Sequence, residues 1–143
     1  MEQSEVKAYS TKFKELIELK NFIGKELGVT NWMEMSQQKI DDFAKITDDE
    51  QWIHTDPEKS ALYSPYKKTI AHGFLVLSMV SRISFDAFAI KNVVAGINYG
   101  LDKVRFPNAT KSDSTYRGKV SLLEFTEIPG GAKYKLKIEI EIK

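Results

Sequence analysis

One stretch limits the choice of fold more than any other: Phe74-Leu75-Val76-Leu77-Ser78-Met79-Val80 is apolar on nearly every side. A surface helix carries a single apolar stripe, so a segment apolar all round belongs to a helix buried on most of its faces. Only Arg82 and Asp86 add charge to the later turns, and the spacing predicts a helix over about 73–89. Strand-like sequence follows it. Tyr134, Leu136, Ile138, Ile140 and Ile142 alternate with Lys and Glu, the period-2 pattern of a strand with one wet face. A sheet that wraps a helix shields it on several sides at once, so the expected fold class is α+β, a sheet around a long central helix.

Two more strands are expected before the last one. Ile97, Tyr99 and Leu101 alternate, while Val104 and Phe106 continue in the opposite phase, which predicts a bulge near Asp102. Tyr116 to Ile128 shows a similar change of phase between Leu122 and Leu123, and Pro129-Gly130-Gly131 reads as a turn. At the other end, Tyr9, Phe13, Leu16 and Ile17 fall at i, i+4, i+7 and i+8, the stripe of an exposed helix within an N-terminal helical segment, residues 1–27. Thr30 to Met35 reads as a short extended piece. Ser36 is placed to cap a helix over about 37–46, on which Ile40, Phe43 and Ala44 share a face. Asp56-Pro57-Glu58 opens another helix, which leaves residues 48–55 as a connector between the two.

The chain has 143 residues, 42% of them apolar and 29% charged, which fits one globular domain over residues 1–143 without repeats or linkers. A net charge of +1 gives no global field toward nucleic acid or an anionic membrane. The absence of cysteine removes disulfides, thiolate metal sites and cysteine nucleophiles. No signal-peptide pattern or membrane-length apolar run occurs, so the expected location is cytoplasmic. Walker, dinucleotide-glycine, zinc-helix and serine-elbow motifs are missing too, and neither a metal nor a cofactor is expected.

Chemistry then rests on few residues. The only two histidines, His54 and His72, each lie in a loop at or before a helix start. Asp49 precedes His54 by five residues, a separation of roughly 140° around a helix and of opposite faces on a strand. Regular structure would part them, whereas a connector between helices can bring both onto one water molecule. A carboxylate and an imidazole aimed at one water form a general acid–base unit, since histidine titrates near neutrality. The plain alternative is two polar residues in a solvated loop. Gly73 opens the buried helix, so its amide is one of the unpaired N-terminal donors and can meet a developing oxyanion, or the glycine simply permits tight helix entry. Lys67-Lys68 and Lys103 with Arg105 could meet the phosphates of a coenzyme A or phosphopantetheine arm, or be solvated charge.

Residues Phe43 to Glu58, with Asp49 and His54 inside Thr47-Asp48-Asp49-Glu50-Gln51-Trp52-Ile53-His54, together with Thr69-Ile70-Ala71-His72-Gly73-Phe74, resemble the signature of MaoC-like (R)-specific enoyl-CoA hydratases. Gln51 to His54 and Ile97 to Pro107 are similar to the nodulation protein N-like branch, and the resemblance covers about residues 20–143. It implies a hot-dog fold, an antiparallel sheet wrapped around the central helix, usually assembled as a homodimer. It also implies that Asp49 and His54 activate water, that the Gly73 amide polarises a thioester carbonyl, and that an enoyl-CoA or acyl-carrier thioester is hydrated to the (R)-3-hydroxyacyl product. Gln51, His72, Phe74, Asn98 and Tyr99 are the expected substrate-binding residues.

Three departures stand out. Gln51-Trp52 replaces the Asn-Pro of the broader family, Asp48 stands where the family often has glycine, and relatives usually continue into one more strand beyond Ile142-Lys143. An acyl-CoA thioesterase and a non-catalytic acyl-thioester-binding protein are the alternatives, because one scaffold can host several reactions.

Overall fold

The computed structural model describes residues 4–143, so the first three residues of the expected N-terminal segment lie outside the described residues. In chain order it contains β1 (Tyr9–Phe13), a 3-10 helix (Leu16–Phe22), β2 (Glu26–Val29), β3 (Met33–Met35), α1 (Gln37–Thr47), α2 (Trp52–Thr55), α3 (Pro57–Tyr63), α4 (Gly73–Ser78), α5 (Val80–Ala87), β4 (Phe88–Ile90), β5 (Ser114–Ile128) and β6 (Gly131–Ile142). The chain forms two compact units, one from the described residues up to Asn31 with Val80–Tyr99 and Arg117–Glu141, the other from Trp32–Met79, Gly100–Tyr116 and Ile142–Lys143. Among the described residues no helix is long and apolar enough to cross a membrane.

The first unit is a sheet with a helix on it. β1 pairs with β2 antiparallel and with β4 parallel, β2 pairs antiparallel with β5, and β6 pairs with β5. Helix α5 packs on β1, β2 and β4. It sits close because the sheet offers glycine where its side chains fall. A Cβ on Gly28 would stand 2.1 Å from the Ala87 carbonyl oxygen, and one on Gly118 would stand 2.2 Å from Ile83 Cγ2. Ile83 and Ala87 are fully buried with Leu19, Leu27, Val120 and Leu122. The β5–β6 turn uses Gly130 at φ +80°, a conformation open to glycine at little cost.

Several expectations need correction here. Tyr9 to Phe13 is a strand, and only Leu16–Phe22 is helical, as a 3-10 helix. Tyr9, Thr11 and Phe13 also alternate with period 2, and hydrogen bonding on both sides of β1 decides between the two periodicities. The helix expected over 73–89 is two segments, α4 and α5, with Met79 between them at right-handed dihedrals, and strand β4 begins at Phe88. It is also less enclosed than its composition predicts, since Phe74 and Phe85 are 72% and 74% exposed. No strand forms over Ile97 to Phe106, where Ile97 and Tyr99 are 87% and 83% exposed. Alternation supplies an apolar face, but a strand exists only where a neighbour takes its backbone hydrogen bonds, and this segment has no such neighbour among the described residues. β5 runs unbroken past Leu122–Leu123, and the irregular register falls on its partner β2, between Glu26 and Gly28.

The second unit carries the helices and one short pair of strands. β3 pairs with the start of β5, Met33 opposite Tyr116 and Met35 opposite Ser114. Helix α1 begins as expected, with the Ser36 hydroxyl accepting from the Lys39 amide at 3.2 Å. Asp56 caps α3 by accepting from the Lys59 amide at 2.9 Å, with Pro57 in the first turn. Helix α1 buries Ile40 and Ala44, α1 packs on α2, and α2 packs on α3. The connector predicted between α1 and α3 contains the one-turn helix α2, which carries His54.

Candidate active site

The site lies wholly within the second unit and is built by the way α1 ends. Its C-terminal cap, Asp48, sits at φ 57° and ψ 21°, in the left-handed region. That conformation stops the helix and turns the chain so that Asp49 leaves at a new angle. Asp48 tolerates it because a short carboxylate side chain is among the few that enter this region at modest cost.

Asp49 is then held at both its side chain and its main chain. Its carboxylate Oδ1 accepts from Gln51 Nε2 at 2.9 Å, and its carbonyl oxygen accepts from His72 Nε2 at 2.9 Å. Oδ2 lies 3.9 Å from the same His72 nitrogen. The hydrogen bond from the Gln51 side chain holds the Asp49 carboxyl below its ordinary range, with the Gln51 backbone adding to it against the cost of burial, so it is ionised at neutral pH.

His54 is buried, 8% exposed. Its Nδ1 lies 2.7 Å from the Ile70 carbonyl oxygen, which can only accept, so Nδ1 carries the proton and Nε2 presents a bare lone pair. The Ile70 amide also donates to the Ile53 carbonyl at 3.1 Å, which ties α2 to the segment before α4. From the other side Gln37 Nε2 donates to the His54 carbonyl at 2.8 Å. The Gln37 carboxamide oxygen is hydrogen-bonded to the Thr69 hydroxyl, which in turn meets Ser112 Oγ at 2.9 Å. Burial pushes the His54 imidazole below its usual value of 6.5, and repulsion from His72 adds to this, against the opposing pull of the Ile70 carbonyl and Asp49.

A carboxylate oxygen of Asp49 and a ring nitrogen from each of His54 and His72 lie within 4.8 Å of one another. Two hydrogen bonds of about 2.8 Å through a single water span such a gap. The connector therefore does fold back, and the expected pair converges. The same three groups have the chemistry of metal ligands. Their rings, however, stack at 3.8 Å with only 25° between planes, and in-plane lone pairs on near-parallel rings run side by side. Holding a divalent cation at both rings would require one of them to turn out of the stack.

The remaining expected residues divide. His72 is in the site, but as the cap residue of α4, 3% exposed and engaged with Asp49 and His54. Gln51 is there too, bonded to Asp49. Gly73 is the first residue of α4, so its amide lies in the turn that has no intrahelical acceptor. Beside its Cα stands the Phe106 ring, 2.9 Å from where a Cβ would be, and Phe74 meets Phe106 edge-on at 6.4 Å. Asn98 and Tyr99 belong to the first unit, where Tyr99 carries the Lys133 ammonium 4.4 Å above its ring. Ile70, Gln37, Thr69 and Phe43, whose ring lies 5.0 Å from that of His72, support the site in parts that the sequence did not assign to them.

The MaoC like domain matches residues 18–139 of this chain. Nodulation protein N of Rhizobium leguminosarum bv. viciae is 41% identical over 131 residues, covering 88% of this chain and 81% of that protein. The 3-hydroxyacyl-thioester dehydratase Z of Mycobacterium tuberculosis is 36% identical over 132 residues, covering 90% and 87%. Among solved structures, the monoamine oxidase regulatory protein of Archaeoglobus fulgius superposes with a TM-score of 0.72 at 22% identity, covering 94% of this chain and 87% of that one. These likenesses establish the expected α+β hot-dog fold. The chain belongs to the MaoC-like domain family.

Proposed function

We propose that this chain catalyses the reversible hydration of a trans-2-enoyl thioester, of coenzyme A or an acyl carrier, to the (R)-3-hydroxyacyl thioester. Membership in the MaoC-like family and the likeness to a 3-hydroxyacyl-thioester dehydratase support hydratase/dehydratase chemistry. The finer reading is carried by one observation, the approach of the Asp49 carboxylate to the His54 ring within the span of one water.

In this mechanism the bare Nε2 of His54 takes a proton from the water as its oxygen bonds to C3. Asp49 accepts the water's other O–H and steadies the imidazolium that forms. Negative charge moves to the thioester oxygen, where the Gly73 amide meets it, and the imidazolium returns its proton to C2. Water is thus added whole, and both side chains end as they began. Acid–base catalysis contributes about 10²- to 10⁴-fold and one oxyanion donor about 10²- to 10³-fold, so both are needed for an enzyme-scale rate. No cofactor or metal enters the scheme. The enzyme works in the cytoplasm as a homodimer; the exposure of Phe74 and Phe85 supports the dimer.

The test is loss of enoyl absorbance from crotonyl-CoA and longer enoyl thioesters, with chiral analysis of the product. Asp49→Asn and His54→Ala should each lower kcat by at least about 10²-fold. Full rate in either variant refutes the assignment, and release of free thiol without hydration identifies a thioesterase instead.

A further inference from the structure

We infer that His72 is a positioning residue for the catalytic pair, fixing the Asp49 peptide by a hydrogen bond and the His54 ring by stacking. The inference rests on the reading of Asp49 and His54 given above, and it assigns His72 a different part from the substrate contact that the motif suggests.

His72 is 3% exposed, with two rings against it. One face stacks on His54 at 3.8 Å, and Phe43 of α1 lies 5.0 Å away at a 57° tilt. A buried ring in contact with two others has few orientations open to it. Its Nε2 lies 2.9 Å from the Asp49 carbonyl oxygen, and because a carbonyl only accepts, Nε2 must carry the proton. Among the described residues Nδ1 has no hydrogen-bond partner, which leaves Nε2–H as the polar anchor of the buried ring.

The bonded carbonyl matters because of where it sits. Asp49 directly follows the left-handed Asp48, a turn with no regular hydrogen-bond ladder to hold it. Rotation of the Asp48–Asp49 segment would swing the carboxylate away from the water position. Gln51 fixes the carboxylate end and His72 fixes the peptide end, so the two act on the same group from opposite sides. His72 also precedes Gly73, the proposed oxyanion donor, so one residue links the three elements that must agree in space.

Two variants separate the donor from the ring. His72→Phe keeps the ring and removes the donor, whereas His72→Gln places an amide nitrogen the same number of bonds from the backbone as Nε2 and removes the ring. With kcat, KM and Tm measured for each, His72→Phe should lower kcat by about 10- to 100-fold with KM little changed, the size expected for misplacement of a reacting group. His72→Gln should recover part of that loss, the remainder being the share of the ring stacked on His54. An unchanged kcat in His72→Phe overturns the proposal, as does a loss confined to KM, which would mark a substrate contact. Failure of Gln to recover kcat in a folded protein overturns the role of the hydrogen bond.

A measurement on the unaltered protein guards against variants that do not fold. Nitrogen-15 imidazole shifts should show His72 as the Nε2–H tautomer, and an Nδ1–H tautomer would overturn the proposal outright. In an Asp49→Asn background, His72→Phe should add little further loss, because both changes act on one group. If Asp49→Asn alone retains full rate, the reading of the catalytic pair fails, while the tautomer result still reports on the contact itself.

Discussion

Replacing Gly118 with alanine tests how closely α5 lies on its sheet, and the expected cost can be worked from the contacts. The new Cβ would stand 2.2 Å from Ile83 Cγ2, 3.1 Å from Cδ1 and 3.2 Å from Cγ1. All three atoms belong to one β-branched side chain that is fully buried, so it has one favoured rotamer and no solvent to move into. Overpacking of this kind costs about 1–3 kcal/mol, and the shortness of the contact places Gly118→Ala toward the upper end. For a chain of this length that is a fall in Tm of roughly 5–10 °C. Gly73→Ala is the matched contrast. Its Cβ meets the Phe106 ring at 2.9 Å, but Phe106 is 49% exposed and can swing outward, so the loss should stay below about 1 kcal/mol. Differential scanning calorimetry of both variants, and of Gly118→Ala combined with Ile83→Ala, measures the difference. The double variant should be more stable than the sum of the singles predicts by at least about 1 kcal/mol, since the alanine methyl occupies space the isoleucine vacates. Wild-type Tm in Gly118→Ala, or simple additivity in the double variant, refutes the close approach.

Three further outcomes are expected. Asp48→Gly should raise stability by about 0.5–1 kcal/mol, because glycine adopts φ 57° without the penalty that aspartate carries there, less the entropy glycine loses on folding; chemical denaturation checks it, and a destabilised variant would contradict the left-handed cap. The pH dependence of kcat/KM follows from two displacements with the same consequence. On the proposed mechanism the working form has Asp49 ionised and His54 neutral, and both groups are held below their ordinary values, so protonation should inactivate the enzyme only on the acid side and the acid limb should lie below 6.5. A limb centred above 6.5 contradicts the burial of His54. In Gln51→Ala the Asp49 carboxyl should rise toward its usual range, since the hydrogen bond from Gln51 is the largest cause of its shift.

The parts of the fold legible in sequence were those fixed by local chemistry. Ser36 and Asp56-Pro57 mark helix starts because an N-terminal turn has unpaired amides wherever it occurs, and the unbroken alternation of Tyr134 to Ile140 needs only one covered face. Tyr9 to Phe13 is ambiguous in sequence because it fits both periodicities, and the deciding fact is the pair of strands on either side. Ile97 to Phe106 fails in the opposite way. Its pattern suits a strand, but pairing is a property of the neighbour, and no residue within the segment encodes whether one is present.

For the candidate site the sequence revealed a spacing, while the structure supplied its reason. Asp49 and His54 stand five residues apart, an interval that no continuous helix or strand can use, so their convergence demands a break in regular structure between them. That break is the irregular link through Glu50 and Gln51, entered by way of the left-handed Asp48 and followed by the single turn of α2. The same break creates a need. A chain that has left its hydrogen-bond ladder must be held by side chains, and here Gln51, His72, Gln37 and the Ile70 carbonyl do so from segments as distant as α1 and the start of α4. These supports were illegible because each is defined by what it meets across the fold. The candidate pair can be read from five residues of spacing, but its rigidity depends on a set of partners that only the folded chain assembles, and of these His72 touches both members.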